Sequence, residues 1–174
     1  MNADLAKQWR MLDLQALDTR LTQLAHKKRT LPVLAELETA TKQQAELFEE
    51  VVLARTAAQD VEREITKAED AVQLVRDRAA RNQQRLDAGQ GSPKDLQGMQ
   101  HELETLARRQ AELEDEELAV MERAEELRAT LARREAQKAE VDEKIVSLTN
   151  QRDEAIAEID KESNSVAAQR DQVA

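Results

Sequence analysis

The chain has 174 residues and a net charge of −10, which comes from 36 acidic and 26 basic side chains. It has no cysteine, three glycines, two prolines and two aromatic residues, Trp9 and Phe48. So few turn formers and aromatic side chains exclude β-sandwiches, barrels and α/β sheets, and the missing cysteines exclude disulfides and thiolate metal sites within these residues. A charged fraction of 36% with abundant Ala, Glu and Leu is typical of long helices.

No stretch has the roughly 18 consecutive apolar residues that a transmembrane helix requires. The first ten residues, MNADLAKQWR, contain charges and lack the apolar segment of a signal peptide. We therefore expect a cytoplasmic protein with no membrane partner. The acidic balance also argues against nucleic acid as the main partner of these residues.

The first predicted helix covers about residues 3–31. Its apolar residues form two neighbouring stripes, which are Leu14, Leu17, Leu21, Leu24 and Leu31 on one face and Leu5, Trp9, Leu12 and Ala16 on the next. Pro32 follows, and its ring clashes with the preceding helical turn, so we predict a kink there. We expect Trp9 and Phe48 to pack against apolar neighbours, with a role as exposed partner anchors as the alternative.

The second predicted helix, residues 33–88, carries one apolar seam with the 3.5-residue repeat of a coiled coil. Fourteen of the sixteen seam positions are apolar. The positions are Val33, Leu37, Ala40, Gln44, Leu47, Val51, Ala54, Ala58, Val61, Ile65, Ala68, Val72, Val75, Ala79, Asn82 and Leu86. The two polar members, Gln44 and Asn82, are expected to fix the register of helix pairing.

Four of the five glycines and prolines lie within ten consecutive residues near the middle of the chain. We predict that Gly89 ends the second helix in a left-handed conformation and that Gly91 lies in a tight reversal. Ser92 and Asp95 have the spacing of a capping box, and Pro93 suits the first position of a new helix.

The third predicted helix covers about residues 93–170 and has a second seam, in which fourteen of nineteen positions are apolar. They are Leu96, Met99, Leu103, Leu106, Gln110, Leu113, Glu117, Val120, Ala124, Leu127, Leu131, Arg134, Lys138, Val141, Ile145, Leu148, Arg152, Ala155 and Ile159. A short loop between two long helices makes them antiparallel neighbours. The sequence therefore predicts an all-α fold, a single long antiparallel coiled-coil hairpin of residues 1–174, kinked near Pro32 and turning at residues 89–92.

A parallel dimer of continuous helices would leave the glycine- and proline-rich turn unexplained, whereas a homodimer of two hairpins stays open. If the chain folds back near its middle, the numbers of facing residues add up to about 180. The expected neighbours are then Gln44 with Arg134 and Lys138, Ala54 and Ala58 with Ala124, and Lys28 with Arg152. The last of these would be a meeting of like charges, so we expect either that Pro32 shifts the register or that this end of the hairpin is splayed and solvated.

Few residues in the sequence indicate catalysis or metal binding. His26 and His101 lie far apart, and neither has a second His or Cys at ligand spacing, so we expect solvated histidines. The nucleotide-binding, metalloprotease and esterase motifs are missing. The acidic run at residues 114–117 points in different directions around a helix and indicates a solvated face. We predict no enzyme, no catalytic residue and no cofactor or metal in this chain.

Basic residues approach the turn from both helices, at the end of the hairpin that we call the tip. The candidate partner-binding residues there are Arg78, Arg81, Arg85, Lys94 and Gly98. Interleaved acids leave the tip mildly positive, so salt bridges within the hairpin are the alternative role for any single arginine. A glycine inside a helix costs about 1 kcal/mol, which indicates a packing or docking role for Gly98. The tip could dock an acidic protein or RNA, although no aromatic stacking group accompanies it.

Residues 85–115, RLDAGQGSPKDLQGMQHELETLARRQAELED, resemble the turn of a bacterial family whose members have a long coiled-coil hairpin followed by a four-cysteine zinc ribbon. Residues 11–32, MLDLQALDTRLTQLAHKKRTLP, resemble the start of the same family, and the actinobacterial branch is the most similar. The specific part of the resemblance is the stretch from SPKDLQ to HELETL. This chain has no cysteine, so we expect that it stops before such a ribbon, which would hold zinc in the full-length protein; loss of the ribbon in this member is the alternative.

The resemblance implies a cytoplasmic, non-enzymatic protein that serves as an adaptor or chaperone, for an alternative sigma factor or for components of a secretion apparatus. It also implies nucleic-acid binding through the ribbon in some members. We therefore predict an adaptor or chaperone-like module that binds another protein in transcription or secretion regulation. The alternatives are a structural spacer, which would tolerate changes to the tip arginines, and the arm of a nucleic-acid-binding ribbon protein, whose binding would weaken with salt.

Overall fold

A computed structural model of the chain describes residues 2–173. It has three helices, α1 (Asn2–Arg29), α2 (Pro32–Asp87) and α3 (Pro93–Val173). No strand occurs between residues 2 and 173. The helices pair in antiparallel fashion, which confirms the predicted all-α coiled-coil hairpin.

The break between α1 and α2 consists of Thr30 and Leu31. The amide of Thr30 donates to the carbonyl of His26 at 3.0 Å, and the amide of Leu34 donates to the carbonyl of Leu31 at 3.0 Å. Pro32 is therefore the first residue of α2, one position earlier than predicted. A proline suits that position because its fixed φ matches the helix and its missing N–H would have no partner there.

The predicted seams are the buried faces of the helices. All sixteen seam positions of α2 and all nineteen of α3 are buried or half-buried. Each helix thus buries one apolar stripe while its charged faces stay in water, which is the arrangement that stabilises paired amphipathic helices.

One compact unit of the fold comprises the residues up to Leu47 and those from Gln137 onward. Its best-buried cluster consists of Leu24, Ile159 and Val166, with the half-buried Leu17, Leu21 and Leu31 packed against it. The leucine stripe of α1 therefore packs on α3, as a continuation of the coiled coil beyond the break.

Ion pairs show the register of this unit. Arg170 donates from Nε to Asp18 at 2.6 Å, and Lys28 donates to Asp160 at 2.7 Å. The like-charge meeting of Lys28 with Arg152 that a uniform register would give is avoided, because each of these cations has a carboxylate of its own; Arg152 pairs with Asp153 at 2.7 Å. The residue numbers of the pairs with Asp18 and Asp160 add up to 188 rather than 180, a shift of about two helical turns, whereas those of the neighbouring pair Arg20–Glu162 add up to 182.

The second compact unit covers Phe48–Ala136. Its buried residues are Val51, Ala58, Val61 and Val72 on α2 and Leu106, Leu113 and Ala124 on α3. Ala124 is completely buried, at 0% exposure, and Ala58 is 7% exposed. Small side chains at these buried positions allow the two helices to approach closely.

The two polar seam residues of α2 differ. Gln44 donates from Nε2 to Asp142 at 2.5 Å, and Lys138 donates to the other oxygen of the same carboxylate at 2.6 Å. These two hydrogen bonds lower the pKa of Asp142, the one from Lys138 contributing more. Gln44 thus links α2 to α3 within its unit, whereas the buried Nδ2 of Asn82 has no hydrogen-bond partner among the described residues.

Candidate partner-binding site at the hairpin tip

The end of α2 is closed by backbone hydrogen bonds. Gly89 has a φ of +62°, in the left-handed region that favours glycine. Its amide donates to the carbonyl of Leu86 at 3.0 Å, and the amide of Gln90 donates to the carbonyl of Arg85 at 3.1 Å. These two bonds are those of a Schellman motif, which satisfies the last carbonyls of the helix.

The start of α3 is closed by a reciprocal pair of side chains. The amide of Ser92 donates to Asp95 Oδ2 at 2.9 Å, and the amide of Asp95 donates to Ser92 Oγ at 3.3 Å. The Ser92 hydroxyl also donates to Oδ2 at 2.6 Å. This is a capping box with Pro93 at the first helical position. Gly91, at a φ of +134°, lies so close that an added Cβ would be 3.0 Å from the Cβ of Asp95.

The side-chain hydrogen bond from Ser92 is the main reason why the pKa of Asp95 is lowered; the Ser92 amide and the charge of Arg85 add to it. The carboxylate is therefore ionised at neutral pH and engaged by the cap. The hydrogen bonds that define the turn do not involve the other cations of the tip.

Away from the turn, six arginines of the second unit bridge α2 and α3. The cross-helix ion pairs are Glu50–Arg134, Arg55–Glu135, Glu62–Arg128, Glu64–Arg123, Arg76–Glu114 and Arg78–Glu102. Arg78, one of the predicted tip residues, belongs to this set, with its Nε donating to Glu102 at 2.8 Å. Arg109 likewise pairs along α3, with Glu112 at 3.0 Å.

Three other tip cations behave differently. Arg81, Arg85 and Lys94 are exposed, and none of them forms a side-chain hydrogen bond or an ion pair with the part of the chain that the structure describes. Arg85 is close enough to Asp95 only for a weak attraction. We call these three the free tip cations. The structure thus divides the predicted set into one structural arginine and three cations that are available to a partner.

Gly98 is exposed within α3, and an added Cβ would meet no atom within 4 Å beyond the backbone of its own helical turn. The packing role that the sequence left open is therefore wrong, because alanine would fit at this position. Glycine costs a helix interior about 1 kcal/mol relative to alanine. No packing contact within the described chain offsets that loss of stability.

Sequence reasoning missed Leu74, which is 67% exposed on α2. Leu74, Arg78, Arg81 and Arg85 follow one another at spacings of four, three and four residues, so they form a stripe on one side of the helix. The spacing is visible in the sequence, but a search for charged residues alone does not include the leucine.

The expectation that both aromatic residues pack is wrong. Trp9 is 64% exposed and Phe48 is 57% exposed.

Metal-ligating side chains do not converge in the described part of the chain. No cluster of three or more His, Asp or Glu side chains that could hold a metal ion is found among them. His101 and Glu104 are 3.8 Å apart and largely exposed. No described helix is long and apolar enough to cross a membrane.

Comparison with known proteins agrees with the hairpin. An uncharacterized protein of Mycobacterium tuberculosis is 37% identical over 129 residues, covering 74% of this chain and 53% of that protein. An uncharacterized protein of Mycobacterium leprae is 30% identical over 115 residues, covering 66% of this chain and 50% of that protein. The chain thus spans about half the length of the curated relatives that it matches.

Solved structures agree as well. One from Mycobacterium smegmatis has a TM-score of 0.83 and 31% identity, covering 95% of this chain and 69% of that one. The structure of CT398 from Chlamydia trachomatis has a TM-score of 0.68 at 17% identity, covering 99% of this chain and 72% of that one, and shows the shared fold. A family model, the CT398-like coiled coil hairpin domain, matches residues 14–174. The resemblance noted in the sequence is therefore confirmed for the hairpin, and the chain belongs to the CT398-like coiled-coil hairpin domain family.

Proposed function

We propose that this hairpin is a non-enzymatic module that binds another protein, an adaptor or chaperone-like arm whose docking site is the tip. The observation that carries the proposal is the set of free tip cations. In a chain of net charge −10, residues 78–98 have four basic and two acidic side chains, a local charge of 4 − 2 = +2. Positive charge that the fold does not use steers and binds an acidic partner.

The absence of a metal-binding cluster and of any catalytic motif in the described residues supports a binding role rather than chemistry. In this proposal the module works in the cytoplasm, in the regulation of transcription or secretion. Where the full-length protein has a zinc ribbon beyond the hairpin, the ribbon would be a separate site for zinc or nucleic acid.

Site-specific photo-crosslinking in the native cell tests the proposal. A photoreactive residue replaces Gln97 at the tip, or Gln59 in the body of the second unit as a position control; both are exposed. We expect a discrete protein adduct at position 97 that is lost in an Arg81→Glu/Arg85→Glu double variant. The matched charge control is Lys67→Glu/Lys144→Glu, two exposed lysines with no ion partner in the described chain.

A protein adduct at position 97 that survives the arginine changes would contradict the tip as the docking site. No protein adduct at either position would favour the structural spacer. An adduct to RNA instead of protein would favour the nucleic-acid alternative.

A further inference from the structure

The free tip cations belong to a larger surface that spans both helices of the tip. On α2 it has the stripe Leu74, Arg78, Arg81 and Arg85. Arg78 reaches across to Glu102 of α3, which lies one helical turn after Gly98. The same side of the hairpin therefore presents the α2 stripe and the bare backbone at Gly98. We call this surface the tip face.

We propose that the tip face accepts an acidic amphipathic helix of the partner protein, laid beside α2 and over Gly98. This inference rests on the proposed function and adds the chemistry and shape of the partner segment. Within the tip face, the stripe from Leu74 to Arg85 covers twelve residues, about 17 Å of helix, which matches about three turns of a partner helix.

The charge of the tip face selects an acidic segment. Arg81 and Arg85 have no carboxylate of their own, and both are exposed where the stripe approaches the turn. Glutamate or aspartate side chains three or four residues apart on a partner helix would lie opposite both guanidinium groups, which bind carboxylates with two parallel hydrogen bonds.

Leu74 and Gly98 give the tip face its shape. Leu74 is 67% exposed and offers an apolar contact at the end of the stripe away from the turn. Gly98 has open space where a side chain would be, so a partner helix can approach the backbone of α3. Close approach explains why glycine is present at a helical position where the chain's own packing would accept alanine.

A helix fits this surface better than RNA does. Single-stranded RNA is bound by stacking of its bases on aromatic side chains together with phosphate contacts. Both aromatic residues of the chain, Trp9 and Phe48, lie outside residues 74–98. Leu74 and the bare Gly98 have no role in binding phosphates.

The probe for the test is a synthetic helical peptide of about 14 residues with glutamates at three- and four-residue spacing on one face and a leucine one turn away. Its control has the same composition in scrambled order, so that the glutamates surround the helix. Titration calorimetry with the complete chain measures the affinities. We expect saturable binding of the patterned peptide, weakened about tenfold by Arg81→Glu and less than twofold by Lys67→Glu.

Gly98→Ala gives the sharpest readout, because stability and binding should move in opposite directions. Alanine meets no neighbour, so we expect the melting temperature to rise by about 2–4 °C. The added methyl group should weaken peptide binding about fivefold by keeping the partner helix away. A variant that only disturbed the fold would lose stability as well as affinity.

The inference is overturned if the scrambled peptide binds equally well, if neither peptide binds, or if Gly98→Ala leaves the affinity unchanged. It is also overturned if a 12-nucleotide oligouridine binds the tip face more tightly than the peptide. These failures are distinct from failure of the proposed function, because a protein adduct at position 97 that depends on Arg81 and Arg85 would remain.

Discussion

The body of the second unit and its tip use charge in different ways. In the body, arginines and carboxylates of α2 and α3 pair across the helix boundary, as Glu62–Arg128 and Arg55–Glu135 do. At the tip, geometry comes from two glycines with positive φ and from the cap between Ser92 and Asp95, while Arg81, Arg85 and Lys94 pair with nothing described. Cross-helix ion pairs therefore hold many arginines of the body, whereas three of the four tip cations, Arg81, Arg85 and Lys94, form no such pair.

The largest effect should come from the packing of the body. Ala124 is fully buried, so Ala124→Leu forces α2 and α3 apart and should lower the free energy of unfolding by about 1–3 kcal/mol. The same change at Ala79, which is only half-buried nearer the tip, should have a smaller effect. Urea unfolding of both variants measures the difference, and equal losses would contradict a tighter body.

The next test concerns the two polar seam residues. Asn82→Leu removes a buried amide nitrogen that lacks a partner and should raise the free energy of unfolding by about 1 kcal/mol. Gln44→Leu should destabilise the chain, because it removes the hydrogen bond to Asp142. Thermal melts of both variants compare them. A loss of stability in Asn82→Leu would mean that this amide has a partner in solution.

The cap at the tip should respond to mutation and to pH. Ser92→Ala removes the capping oxygen and should lower the free energy of unfolding by about 1 kcal/mol. Because the folded pKa of Asp95 is lowered, its contribution is present above the unfolded pKa and is lost as pH falls through the folded pKa.

Melting temperatures of the parent and of Asp95→Ala, measured from pH 6 to pH 2, should therefore converge at the acid end. A gap between the two proteins that stays constant down to pH 2 would contradict the role of the ionised carboxylate.

The smallest effects should come from exposed charges. Arg128→Ala breaks the pair with Glu62, and because this pair is exposed it should cost no more than about 0.5 kcal/mol, less at high salt. Arg81→Ala should leave stability unchanged, since Arg81 has no partner to lose. Urea unfolding at about 50 mM and about 500 mM salt compares the stabilities of the two variants. A salt-dependent loss of stability in Arg81→Ala would reveal an unrecognised ion pair.

The seams and the turn could be predicted because both depend on residues close together in the sequence. Each helix buries one apolar stripe, and Gly89 adopts the positive φ that ends α2. Exact partners were harder to predict. Paired residue numbers add up to 180 at Arg78–Glu102 but to 190 at Arg76–Glu114 and to 188 at Lys28–Asp160, because long side chains reach carboxylates one or two turns along the facing helix. Trp9 and Phe48 were mispredicted because an apolar stripe shows what a helix can bury but not which of its side chains face a partner.

The turn also has a consequence for the order of folding. Sequence separation between partners grows from 24 residues at Arg78–Glu102 to 98 at Gln44–Asp142 and 152 at Asp18–Arg170. Closing the longest of these loops from a disordered chain costs about 1.6 kcal/mol more than closing the shortest. A nucleus at residues 78–102 followed by zipping along the seams avoids that penalty. During synthesis, Leu24 leaves the ribosome more than a hundred residues before Ile159, its partner in the apolar cluster. The apolar stripe of α1 therefore stays without its α3 partner for longer than the seam of α2 does.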